Sequence, residues 1–139
     1  MSIRADIVAK VVSDIDAITG IKTVTREPKE ITELSPASFP HVLVETANET
    51  REHAQLEGRR VAELDILLNV VVHGNNRDSA RNTAFEQIEE KLQADPSLGD
   101  LCYDSYVTEV RIREIAQSAP YGSGAMIYRV RYFYDRENP

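Results

Sequence analysis

Hydrophobic residues follow two different periods along this chain, and each change of period marks an element. Ile3, Ile7, Val11, Ile15 and Ile18 recur at helical spacing with Val8 and Val12 beside them. The opening segment therefore predicts an amphipathic helix that buries one broad face. Ser2 stands where an N-cap belongs, and Gly20 where a C′ residue belongs. A short strand is expected over 22–26. Pro28, Pro36 and Pro40 then punctuate 27–40, each unfavourable to a regular ladder or helix. A strand over 42–46 follows. Residues 47–60 are polar and mixed in charge, with Gly58 near their end, and predict a hairpin loop longer than most connections inside a compact domain.

The period of two is clearest over 61–73. Leu64, Ile66, Leu68, Val70 and Val72 alternate onto one face, and Glu63, Asp65, Leu67, Asn69, Val71 and His73 onto the other. Gly74-Asn75-Asn76 ends that strand. A second helix is expected over 77–93, burying Ala84, Phe85, Ile88 and Leu92, with Asn76 as its cap and Pro96 beyond its end. In the next strand Tyr106, Thr108, Val110 and Ile112 face one way and Val107, Glu109, Arg111 and Arg113 the other. The last strand, over 125–134, places Met126, Tyr128, Val130, Tyr132 and Tyr134 opposite Ile127, Arg129, Arg131 and Phe133. Pro120, Gly122 and Gly124 supply turn chemistry before it. The order α-β-β-β-α-β-β implies an α+β fold: a mostly antiparallel sheet of about four to five strands with both helices on one face. Two helices cover one face of a sheet, so Leu67, Val71, Ile127 and Phe133 on the other face either tolerate solvent or meet a partner.

Length and composition narrow the class. The 139 residues suit one domain spanning 1–139, and 42% hydrophobic against 28% charged residues is enough to bury a core. A net charge of −7 argues against specific nucleic-acid binding, which normally needs a basic face. The single cysteine, Cys102, forms no internal disulfide and suits a reducing compartment. The N-terminus lacks the apolar core of a signal peptide, and no apolar run reaches the roughly 20 residues of a membrane span.

A search for chemistry yields little. His41, His53 and His73 share no metal-ligand spacing, and Cys102 lacks the surroundings of a nucleophile; His41 and His73 fit strand ends and Cys102 a small apolar role. Glu63 and Asp65 lie two apart on a strand and point the same way. Paired carboxylates can perform acid–base work or hold a cation, but more often form a solvated sheet face; in an assembly they could meet a neighbour's arginines. Asn48-Glu49-Thr50 matches a glycosylation acceptor, without a secretion signal to expose it. Gly122-Ser123-Gly124 lacks the lysine and following helix of a phosphate loop. Arg129 and Arg131 among Tyr128, Tyr132 and Phe133 suggest a stacking platform, but alternation sets the arginines opposite the tyrosines. No catalytic, cofactor or metal constellation emerges, and a non-enzymatic role is expected.

Several pieces in this order resemble bacteriophage tail-terminator, or tail-completion, proteins. They are the opening helix with Gly20, the strand start Phe39-Pro40-His41-Val42-Leu43-Val44, and the long strand ending Val70-Val71-Val72-His73-Gly74. The helix from Arg77-Asp78 to Leu92 follows, then Asp95-Pro96-Ser97-Leu98-Gly99-Asp100-Leu101 and the strand from Tyr128 to Tyr134. The resemblance spans nearly the whole chain through layout and short phrases, of which the Asp-Pro-x-Leu-Gly-x-Leu run is the most distinctive. Head–tail connector and neck proteins look similar at this level. What the resemblance implies is a homohexameric ring at the head-proximal end of a virion tail, assembled in the host cytoplasm. Its partners would be the tail tube protein and the connector or neck protein, with no cofactor and no membrane. The expected subunit and tube interface comprises Glu63, Asp65, Leu67, Val71, Ile127, Arg129, Arg131 and Phe133, together with Arg51, Glu52, Arg59 and Arg60 of the polar stretch.

Overall fold

The computed structural model describes residues 2–27, 36–56, 59–74, 76–114 and 121–134. Helix α1 spans Ile3–Asp16, and the Ser2 hydroxyl caps it by accepting the Ala5 N–H at 3.1 Å. The helix closes on Ala17, a turn before Gly20, and Ile18 still packs against the core from the following turn. Strand β1 (Thr23–Thr25), a short 3₁₀ turn (Pro36–Ser38), strands β2 (His41–Leu56) and β3 (Arg59–His73), helix α2 (Arg77–Gln93) and strands β4 (Asp104–Glu114) and β5 (Tyr121–Tyr134) follow. The order is the expected one, and the class is α+β.

One sheet runs β1-β2-β3-β5-β4. β1 pairs parallel with β2, and the other three pairings are antiparallel. Both helices lie on one face, where α1 contributes Ile7, Val8, Val11 and Ile15, and α2 contributes Ala84, Phe85, Ile88 and Leu92. These meet Val42 and Val44 of β2, the even-numbered residues from Ala62 to Val72 of β3, and Met126 to Tyr134 of β5 in one core. Burial of each such aliphatic side chain contributes about 1.5–3 kcal/mol. α1 lies towards β1, and α2 spans β3, β5 and β4.

Several expectations need correction. Most of 47–60 is not a loop: β2 and β3 pair from His41↔Val71 to Leu56↔Arg59. A ladder of backbone hydrogen bonds needs no apolar alternation, and the polar side chains here concealed it. A bulge at Ala47 also resets the phase, so that Val42, Val44 and Thr46 face the helices before it and Glu49 and Arg51 after it. β4 likewise carries a bulge between Val107 and Glu109. The extra residue sets Val107, Val110 and Ile112 on the helix side and Tyr106, Glu109 and Arg111 on the other, so the strict alternation fails there. Finally, β5 begins at Tyr121 and takes in the two glycines assigned to a turn. A Cβ on Gly124 would lie 2.5 Å from the Phe85 ring and 2.7 Å from the Arg111 carbonyl oxygen. This glycine lets α2 and β4 close on β5. Asn76 flanks α2 but forms no side-chain cap bond.

Candidate functional site

The face of the sheet opposite the helices brings together eight of the predicted interface residues. Register places Glu63 across from Arg131, Asp65 across from Arg129, Leu67 across from Ile127, and Val61 across from Phe133, with Val71 further along β3. The carboxylates thus meet arginines of their own chain. Arg129 donates to both Asp65 oxygens at 2.8 and 3.2 Å, and lies 3.4 Å from Glu63. Arg131 approaches Glu63 at 3.2 Å. The bonds from Asp65 raise the Arg129 pKa above its ordinary value, so the guanidinium stays charged.

Aromatic groups close both ends of this ladder. Tyr103 stacks on Phe133 with ring centroids 4.7 Å apart, and the Arg131 guanidinium lies 5.4 Å from the Tyr103 ring. At the far end His73 meets Tyr121 edge-on at 4.9 Å and stacks on Phe39 at 5.8 Å. Between them the Asn69 amide donates to Glu45 at 2.9 Å. Leu67, Val71, Ile127 and Phe133 are half-buried on this face.

The four polar-stretch residues are not part of this face as a group. Arg51 points to the helix side, Arg60 pairs with Tyr134 on that same side, and Glu52 is exposed. Arg59 opens β3 opposite Leu56, and its side chain lies outside the described residues, as does that of His53. On the helix side stands a cluster that no spacing in the chain announced. Glu49 accepts from Arg4 at 3.1 and 2.8 Å, from Arg51 at 2.9 Å and from the Tyr132 hydroxyl. Burial pushes the Glu49 carboxyl up, but the bonds from Arg4, Tyr132 and Arg51 outweigh it and hold the pKa down to about 2. Arg51 also lies 4.2 Å over the Tyr134 ring. Arg4 and Glu49 are 45 residues apart, and only the folded register unites them.

The remaining candidates have structural surroundings. His41 Nε2 lies 2.8 Å from the Thr25 hydroxyl and ties β1 to β2. Burial pushes the Cys102 thiol up to about 11, so it stays protonated at neutral pH. Cys102 donates to the Pro96 carbonyl, Ser105 donates to the same oxygen at 2.6 Å, and the Tyr128 hydroxyl bonds to Ser105. The Asp-Pro-x-Leu-Gly-x-Leu run forms a turn. The Asp95 carboxylate accepts from Ser97 and from the Gly99 N–H, Leu98, Gly99 and Asp100 all have positive φ, and Leu98 is fully buried. Among the described residues no group of three or more His, Cys, Asp or Glu is arranged to hold a metal ion. No helix there is long and apolar enough to cross a membrane.

No protein-family model matches this chain, and no curated protein matches it. Among solved structures, a chain described as "Virion of native gene transfer agent (GTA) particle" is similar at a TM-score of 0.48 and 12% identity, over 91% of this chain and 94% of that one.

Proposed function

We propose that this chain is a structural virion protein, the ring-forming tail terminator of a tailed bacteriophage, acting by surface complementarity without catalysis or a cofactor. The observation that carries this reading is what the helices leave uncovered: a whole sheet face, half apolar and half charged, and strand edges on both sides of the sheet. An α-β-β-β-α-β-β chain with these surfaces is built to associate, and it has the layout on which the resemblance to terminators rests. A homohexameric ring seated on the last tube ring would compete with addition of the next, ending growth, while its other side receives the connector or neck protein. A ring of chains each carrying −7 would repel DNA moving through it and so not retain it.

Electron microscopy of lysates from a phage with this gene disrupted tests the reading. Tubes should exceed their normal length and fail to join capsids. A narrow, normal length distribution beside unjoined heads would overturn the terminator role in favour of a neck protein.

A further inference from the structure

The exposed large hydrophobic side chains of the described residues lie at one edge of the sheet. They are Tyr103, Val110 and Ile112, at 41, 43 and 59% exposure, all on β4 or at its start. β4 is the edge strand of the described sheet, and its bulge turns Val110 and Ile112 to the helix side, where both stay exposed. A strand edge with apolar side chains two apart is a template for another strand.

The opposite side of the sheet carries the complement. β1 pairs only with His41, Val42 and Leu43, so β2 continues from Val44 with no described strand on its outer edge. Beside that edge, again on the helix side, runs an open groove of about 560 Å³ between α1 and the sheet, lined chiefly by Ala5, Val8, Ala9, Val12, Arg26 and Thr46. The Arg26 guanidinium already takes the Val44 carbonyl at 3.3 Å, as a neighbouring strand's N–H would.

We infer that β4 of one copy adds to the outer edge of β2 in the next, seating Val110 and Ile112 in the groove beneath α1. A second copy fits better than an unrelated chain because one molecule carries both halves at opposite edges and on the same side of the sheet. The contact is head-to-tail, so repetition closes a ring or extends a filament. The inference rests on the proposed ring for closure, but the contact itself is read from the two edges.

Two variants with one blocked edge each test it. Ala9→Lys spoils the groove and Ile112→Lys the ridge, both at exposed positions. Light scattering should show the wild type as a multiple of 15.6 kDa and each variant as single chains. An equimolar mixture should give a two-chain species, because one variant keeps its ridge and the other its groove. Circular dichroism checks folding, and Ala5→Lys with Val110→Lys forms a second pair should either of the first misfold. Variants that assemble like the wild type, a mixture that stays as single chains, or a wild type that remains a single chain at every concentration would each overturn the edge contact. Overgrown tails in the gene disruption would still stand in those cases and would place the ring contact elsewhere.

Discussion

Asp65 and Arg129 face each other across β3 and β5, joined by two hydrogen bonds of 2.8 and 3.2 Å. The pair shows how the uncovered face tolerates water: its charges are neutralised within the chain, so its apolar residues can meet a partner without stranding an ion. Both side chains are partly exposed, and a double-mutant cycle with Asp65→Ala and Arg129→Ala should give a coupling of about 1 kcal/mol, weaker at high salt. Urea unfolding measures it. Asp65→Ala and Glu63→Ala should leave tail joining intact, whereas loss of joining at full folded stability would point to a chemical role.

Glu49 sets an acid limit on stability. Its pKa falls from 4.5 to about 2 on folding, so its contribution is fully present above 4.5 and is lost as pH drops through 2. Melting temperatures of wild type and Glu49→Gln should therefore differ most at neutral pH and converge between pH 4.5 and 2. A difference independent of pH would contradict the Arg4–Glu49–Arg51 assignment.

Gly124 is a packing requirement. Gly124→Ala meets the Phe85 ring and the Arg111 carbonyl, and should destabilise by about 1–3 kcal/mol. Gly122→Ala, whose nearest neighbours are 3.2–3.3 Å away, should cost less. Equal tolerance of both, read from urea midpoints, would place α2 differently.

The phase of β4 is testable in the same way. Val107 packs against the core while Val110 is exposed. Val107→Asp should cost on the order of 2–3 kcal/mol, and Val110→Asp should stay within about 0.5 kcal/mol for the dissociated chain. The reverse order would mean that the bulge is absent and that strict alternation holds.

What the sequence disclosed follows from which forces leave a periodic trace. Leu64 to Val72 and Ile7 to Ile15 were readable because each buries a regular stripe under a facing element. Glu49, Thr50 and Arg51 were not, since their strand is held by backbone bonds and a polar cluster. Thr108 looks like any strand residue, yet the extra residue there reverses every side chain after it. Parity alone placed Glu63 and Asp65 on one face with Leu67, but their arginine partners depend on the β3–β5 register, which no local pattern encodes. Gly122 and Gly124 suggested a turn because glycine's other use, close approach of a helix, is visible only in three dimensions.

Elongation of tail tubes from purified tube protein, followed by light scattering, tests the central claim most directly. Added at one ring per growing end, this chain should halt growth and leave the tubes capped at one end, while the same amount of Ile112→Lys should leave growth unchanged. Tubes that lengthen at the same rate with and without the wild-type chain would contradict the account.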